Sequence, residues 1–251
     1  WVIGWDEANA CKDDSVQAAM YKIWHEREVG AYDLHPNCMQ MAMGNLVTDG
    51  AIAADLGSAS ATRVSHYVVK KCQASLLNYA RSEQWDSRIT SYLEWRPANA
   101  NAFDPDTFEG QMTFACNRQW ENLNKVLKVD PKLPESSLAL PLVISKLDEG
   151  VGRDFLAYCR YFEQLPTLKD VIAAPEHCIV PSEPGIQFAT AASLAEAWTP
   201  CNSAAISTYM KRLGVEYQVV WFKELFHRNK SAASEPSLQP WKTKFAKDLF
   251  A

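Results

Sequence analysis

The sequence lacks the cysteine spacing, the long apolar runs and the excess of positive charge that mark several common classes of protein. Seven cysteines are scattered through 251 residues without one C-x-x-C pair, which argues against a disulfide framework and a zinc knuckle. No apolar run approaches the roughly 20 residues that cross a bilayer, and no basic-then-apolar leader is present. The net charge of -5 gives no general attraction to nucleic acid. We therefore expect a cytoplasmic protein with reduced thiols and with neither a membrane nor a nucleic-acid partner.

Three motifs of catalysis or ligand binding are also missing. The histidine–glutamate pair at positions 25 and 26 lacks the second histidine of a zinc protease. Gly150 and Gly152 lack the third glycine of a dinucleotide-binding turn. No G-x-x-x-x-G-K-[ST] loop exists, because none of the ten glycines is followed by lysine. Since that loop normally cradles phosphates with its backbone N–H groups and a lysine, the chain alone is expected to bind nucleoside triphosphates poorly.

Strand-like and helical segments alternate in the first part of the chain. Asp13 is placed to cap a helix that runs to about residue 28. Runs of apolar and β-branched residues predict strands or hairpin arms at residues 2–5, 29–34, 38–43 and 64–69, the first of them buried. The sequence therefore predicts an α/β fold for residues 1–70.

The remainder of the chain has helical periodicity. Helices are expected at residues 73–80, 85–95, 118–129, 140–147, 152–164, 188–198, 202–213, 215–227 and 241–250. The tryptophans are expected to be core and helix-packing residues, and residues 231–240 have the composition of a linker. We therefore expect one helical segment at 71–165, a second at 166–229, and a linker with a terminal helix at 230–251.

Acidic and amide side chains follow two of the predicted strands. Asp6 and Glu7 end the first strand, and Asn45 follows the strand at residues 38–43. The carboxyl ends of parallel strands present side chains to bound phosphates in many α/β proteins. The same residues also suit ordinary surface turns, and Asp148-Glu149 repeats the acidic pair after a helical segment. The residues alone leave both readings open.

The order of several short motifs resembles a known family. They are D-E-A-N at 6–9, V-Q-A-A-M at 16–20, E-R-E-V-G at 26–30, M-G-N at 43–45, S-A-T-R at 60–63, A-C-N-R-Q-W-E at 115–121 and G-V-G-R-D-F-L-A-Y at 150–158, the last followed by a Leu-Pro turn. In this order they are similar to MoxR-like AAA+ ATPases from the Walker B strand onward. The resemblance implies a partial AAA+ P-loop core sheet, then an all-α lid and a helical C-terminal extension.

The resemblance implies roles for five residues. Asp6 would hold Mg²⁺, Glu7 would polarise the attacking water, and Asn45 would orient that water as sensor 1. Arg63 resembles the arginine finger that one subunit offers to its neighbour, and Arg118 resembles the sensor 2 arginine that contacts phosphate from the lid. A solvated surface arginine is the alternative for each of the last two.

The function that the resemblance implies is ATP hydrolysis with Mg²⁺, coupled to remodelling or maturation of a protein partner. It also implies a ring, hexameric by resemblance, and partners with a von Willebrand A-type domain. Because Trp1 lies within an apolar run, we expect a fragment that is inactive alone. The alternatives are a non-enzymatic AAA+-like protein-interaction module and, given a basic pore strip, a nucleic-acid motor. Arg96 is a rival of Arg118 for the sensor 2 role.

Overall fold

The computed structural model describes residues 1–49, 53–55, 62–104, 106, 108 and 112–249. The chain divides into two compact units, the first formed by residues 1–71 with 104–107 and the second by residues 72–103 with 108–251. Unit 1 combines strands with a helix, whereas the elements described in unit 2 are helices. The chain is therefore a mixed α/β protein that is mostly helical.

Unit 1 contains a small sheet, a hairpin and one α-helix in the part that the structure describes. In chain order its elements are β1 (Val2–Trp5), α1 (Asp14–His25), β2 (Glu28–Val29), β3 (Tyr32–Asp33) and β4 (Met39–Ala42). Asp13 caps α1 by accepting hydrogen bonds from the backbone amides of Ser15 and Val16. The expected cap, helix, hairpin and first and third strands are confirmed, although α1 ends a few residues earlier than predicted.

The sheet of unit 1 is parallel. β1 pairs with β4 so that Val2 lies opposite Met39 and Gly4 lies opposite Met41, while β2 pairs with β3 in an antiparallel hairpin. A parallel pair needs a long crossover, and α1 with the hairpin provides it. The carboxyl ends of β1 and β4 therefore meet at the same edge of the sheet.

The expectation that the first strand is buried is wrong. Val2 is 64% exposed, and Met39 and Met41 are 68% and 54% exposed. Paired residues of a parallel sheet share a face, so these three side chains line one solvent-exposed face of the sheet. On the other face, the Gln40 side chain donates to the Ile23 carbonyl of α1 at 3.0 Å. Parallel sheets are usually covered on both faces, and within unit 1 this one is covered on one.

The strand predicted at residues 64–69 does not form. Residues 65–72 have neither helix nor strand, and Tyr67 and Val69 are 87% and 94% exposed. Within the described residues of unit 1, Cys38 is the one buried residue. A run of β-branched residues becomes a strand only beside a partner strand and against a core, and unit 1 has little core to offer.

Unit 2 is a succession of helices with short 3₁₀ turns between them. Its α-helices are α2 (Gln73–Ser82), α3 (Ser87–Trp95), α4 (Asn117–Val129), α5 (Ala139–Leu147), α6 (Glu149–Cys159), α7 (Leu168–Ala173), α8 (Pro184–Glu196), α9 (Ser203–Met210), α10 (Val215–Arg228) and α11 (Gln239–Phe245). They overlap every helical segment expected from the sequence, and α7 is an addition. None of the described helices is long and apolar enough to cross a membrane.

The segment expected to be a linker is instead part of the packed structure. It forms two 3₁₀ helices, Lys230–Ser234 and Pro236–Leu238. Ala232 and Leu238 have no exposed surface, because both belong to a hydrophobic cluster with Trp221 and Trp241. The serines, alanines and prolines of this segment are typical of a linker. Ala232 and Leu238 nevertheless pack into the hydrophobic cluster.

Two hydrophobic clusters form the core of unit 2. The first surrounds Trp85, Trp120 and Phe155, and the second surrounds Trp198 and Trp221. The helix α8 contributes small side chains to both clusters, which lets neighbouring helices approach closely. The core role expected for the tryptophans is confirmed at these positions.

A buried ionic network joins α2, α3 and α10 in unit 2. Arg81 Nε donates to Glu224 Oε1 at 2.8 Å, and Arg228 Nε donates to Glu224 Oε2 at 2.7 Å. Arg81 also pairs with Glu94. Burial opposes ionisation of Glu224, but the Arg81 and Arg228 guanidinium groups outweigh it and lower the pKa of Glu224. Each carboxylate oxygen of Glu224 therefore accepts a hydrogen bond from a positively charged arginine inside the helical unit.

Candidate active site

The carboxyl edge of the β1–β4 sheet brings together three of the side chains identified in the sequence. Asn45 Nδ2 donates to Glu7 Oε2 at 3.0 Å, and the Glu7 backbone amide donates to Asp6 Oδ1 at 3.1 Å. Asp6 and Glu7 are exposed, and Asn45 is half-buried. The site is thus an accessible cluster of two carboxylates and one amide.

The backbone of Glu7 adopts a conformation that is uncommon for a residue with a side chain. Its φ angle is 51°, in the left-handed region. Such a conformation costs on the order of 1 kcal/mol or more for a residue other than glycine, and it is found often at functional sites. Here it accompanies the turn at the end of β1 and the contact between the Glu7 carboxylate and Asn45.

Hydrogen bonds beyond the strands hold the two strand ends together. The Ala8 amide donates to the Met43 carbonyl at 2.8 Å, and the Ala10 amide donates to the Glu7 carbonyl at 2.9 Å. Asn9 Nδ2 donates to the Asn45 carbonyl at 2.7 Å. No role was predicted for Asn9 beyond its place in a motif, because its contact with residue 45 depends on the pairing of strands that lie far apart in the chain.

The side chains at this edge can supply one part of a metal site. Mg²⁺ is usually held by one or two carboxylates, with water and substrate phosphates as its other ligands. Asp6 and Glu7 meet that smaller requirement, whereas the described residues contain no group of three or more His, Cys, Asp and Glu side chains placed to hold a metal ion. The donor set therefore fits a metal ion that arrives with a phosphate ligand better than a resident ion.

The two arginines identified in the sequence lie in different units. Arg63 is exposed in unit 1, ahead of a segment without helix or strand. Arg118 is exposed in the first turn of α4 in unit 2, where no ion pair is found for it among the described residues. Its rival Arg96 lies 4.1 Å from the centre of the Trp95 ring and 3.7 Å from the Asp154 carboxylate. Of the two, Arg118 is the one without such packing.

No protein-family model, curated protein or solved structure matches this chain. The resemblance to MoxR-like AAA+ ATPases therefore stays a prediction. It rests on the order of the motifs and on the residues that carry them.

A shallow cleft in unit 2 offers weaker chemistry than the sheet edge. It has a volume of about 280 Å³ and is lined by residues that include Arg88, Cys159, Arg160 and Phe162. Arg88 is held by the Asp86 carboxylate at 2.6 Å. Burial raises the pKa of the Cys159 thiol to about 12, so this cysteine stays protonated and is a poor nucleophile at neutral pH. Neither the paired Arg88 nor the protonated Cys159 is activated for catalysis.

Proposed function

We propose that Asp6, Glu7 and Asn45 are part of a site for hydrolysis of ATP, in a protein of the MoxR-like AAA+ kind. The observation that carries the proposal is the 3.0 Å contact between Asn45 Nδ2 and Glu7 Oε2 at the carboxyl ends of two parallel strands. Glu7 and Asn45 are 38 positions apart in the chain, yet their side chains are in contact. The carboxylate of Asp6 lies next to them. An ordinary surface turn would not require that meeting.

The chemistry follows from which oxygens are already engaged. Asn45 donates to Oε2 of Glu7, and no hydrogen bond from the described part of the chain engages Oε1. Glu7 Oε1 can therefore accept a proton from a water molecule, while the Asn45 amide keeps the carboxylate from rotating. General-base assistance of this kind typically accelerates a reaction by about 10²- to 10⁴-fold.

Asp6 would hold the Mg²⁺ ion that accompanies the nucleotide, and that ion would neutralise charge on the phosphate oxygens. These 251 residues contain no phosphate-binding loop, so the proposal requires one from other polypeptide. Arg63 is proposed to act on the nucleotide of a neighbouring subunit in a ring, hexameric by resemblance. Arg118 is proposed as the sensor 2 arginine. Hydrolysis would then drive remodelling or maturation of a protein partner, including one with a von Willebrand A-type domain.

The proposal is tested in a protein that joins this chain to its phosphate-binding loop. Glu7→Gln should stop hydrolysis and leave nucleotide binding nearly intact, because the acid acts on the water and not on the bound triphosphate. The matched control is Glu26→Gln, an exposed glutamate on the same unit, which should keep normal turnover. Equal turnover in the two variants would remove Glu7 from the reaction.

The role of Arg63 can be tested by mixing subunits. Arg63→Ala should lower hydrolysis, and mixing it with Glu7→Gln subunits should restore part of the activity. Recovery is expected because some interfaces of the mixed ring combine an intact Glu7 with an intact Arg63. Normal turnover of Arg63→Ala by itself would make this residue a surface arginine.

A protein-interaction module without catalysis is the second candidate. The exposed sheet face that includes Met39 and Met41 favours it, because methionines often line adaptable binding surfaces. The two candidates differ in one measurable respect. An interaction module would keep its function in the Glu7→Gln variant.

A further inference from the structure

Asn9 joins three separate segments of unit 1. Its side-chain Nδ2 donates to the Asn45 carbonyl at 2.7 Å and to the Ala54 carbonyl at 3.4 Å. Its own carbonyl accepts from the Ala54 amide at 2.6 Å. Asn9 therefore connects the turn after β1, the end of β4 and the segment at residues 53–55.

Gly44 has no side chain, and the Asn9 side-chain amide occupies the space that a Cβ atom at position 44 would fill. A Cβ atom at position 44 would lie 2.0 Å from Asn9 Oδ1 and 2.8 Å from its Cγ, distances that no pair of such atoms tolerates. Asn9 Oδ1 itself is buried and has no hydrogen-bond partner in the part of the chain that the structure describes. The position of the Asn9 amide is thus set by its two donor contacts and by the missing side chain at residue 44.

We propose that Asn9 is a positioning residue for the Glu7–Asn45 pair and that Gly44 is required for it to act. The Asn9 amide holds the backbone of Asn45, and the side chain of that same residue contacts the Glu7 carboxylate at 3.0 Å. A hydrogen-bond donor is required at this position because both backbone partners are carbonyl oxygens, and the Asn9 amide supplies it. The link to catalysis rests on the proposed function, but the geometry can be tested without it.

The test reads the Glu7–Asn45 contact directly in the purified chain by NMR. Replacing Glu7 by Gln should shift the side-chain amide resonances of Asn45, because it removes the carboxylate that Asn45 Nδ2 contacts at 3.0 Å. In the Asn9→Ala and Asn9→Asp backgrounds the Asn45 shift caused by Glu7→Gln should fall by more than half, since neither residue can donate to the Asn45 carbonyl. Asn37→Ala, an exposed asparagine of the same unit, is the control and should keep the full shift.

Gly44→Ala supplies the second arm of the experiment. In the parent it should reduce the Asn45 shift as strongly as Asn9→Ala does, because the new methyl group displaces the Asn9 amide. In the Asn9→Ala background it should add little, since the clashing group is gone, and this non-additivity identifies the pair. A full Asn45 shift in folded Asn9→Ala, or strictly additive effects of the two substitutions, would overturn the proposal. If Asn9→Ala does not fold, Asn9→Asp and Gly44→Ala decide the matter by the same criterion.

Failure of the positioning role is distinguishable from failure of the proposed function. The NMR comparison needs no nucleotide, so its result depends on geometry alone. In a protein that hydrolyses ATP, Asn9→Ala should lower kcat by about 10- to 100-fold with KM unchanged, because a misplaced catalytic group weakens the transition state more than binding. An intact kcat with a lost Asn45 shift would keep Asn9 as the positioning residue and remove the pair from catalysis.

Discussion

Replacement of Glu224 by glutamine should test whether the ionic network holds the helices of unit 2 together. Glu224 has no exposed surface, and its carboxylate accepts from Arg81 at 2.8 Å and from Arg228 at 2.7 Å. Glutamine keeps the size of the side chain but removes its charge. Among the described residues, Arg81 would then keep Glu94 as its acidic partner, and Arg228 would lose its ion pair with Glu224.

The expected loss of stability follows from burial. Removing one member of a buried ion pair costs about 3–5 kcal/mol, because it leaves the other charge uncompensated away from water. Glu149→Gln is the matched control, since Glu149 pairs with Arg153 at 2.8 Å but the two side chains are 70% and 57% exposed. Breaking such an exposed pair typically costs about 0.5 kcal/mol or less. Glu224→Gln should therefore lower the free energy of unfolding by at least about 2 kcal/mol more than its control.

The assay is chemical denaturation of the parent and both variants at several pH values. Because the pKa of Glu224 is lower in the folded chain than in the unfolded chain, its ionised form stabilises the fold above the unfolded value. That stabilisation is lost as the pH falls through the unfolded value towards the folded one. The difference between parent and Glu224→Gln should thus shrink in acid. Equal losses for the two glutamines, or a difference that grows in acid, would refute the reasoning.

Three further predictions concern thiols, packing and turnover. A hydrogen bond with a serine hydroxyl lowers the pKa of the exposed Cys72 thiol, whereas burial raises the pKa of the Cys159 thiol to about 12. Iodoacetamide should therefore modify Cys72 before Cys159, as measured by mass spectrometry. Equal labelling of the two cysteines would contradict this prediction. Gly152→Ala should lower the free energy of unfolding by about 1–3 kcal/mol, because the new Cβ atom would lie 3.2 Å from the backbone of α5. The control Gly150→Ala should be tolerated, since its Cβ atom would lie 3.4 Å from one side-chain carboxylate oxygen. Matching losses would contradict the packing argument. The 251-residue chain alone should show little or no ATP turnover, and robust hydrolysis would mean that phosphate is held in another way.

Local signals in the sequence were sufficient for most of the elements. Asp13 has the side chain and the position of a helix cap, and it caps α1. The meeting of Glu7 and Asn45 followed from one assumption, that the strands before them are parallel neighbours. Because β1 and β4 do pair in that way, the two side chains came within hydrogen-bond distance.

Features that depend on tertiary packing could not be predicted from local patterns. The run at residues 64–69 has strand-forming residues but no partner strand among the described residues, and it forms neither helix nor strand and is mostly exposed. Residues 231–240 look polar and proline-rich, yet Leu238 belongs to the core. The contact between Asn9 and the Asn45 carbonyl needs both the turn after β1 and the register of β4. Composition along the chain carries no information on such pairings.

The most direct test of the central claim is to locate bound metal nucleotide on the chain. Mn²⁺ can replace Mg²⁺ at carboxylate sites and broadens NMR signals of nearby nuclei. At millimolar Mn²⁺–ATP we predict selective broadening of the backbone amides of residues 5–8 and 43–46, which is lost in the Asp6→Asn/Glu7→Gln double variant. Broadening elsewhere, or equal broadening in the double variant, would contradict the assignment of a nucleotide site to this edge of the sheet.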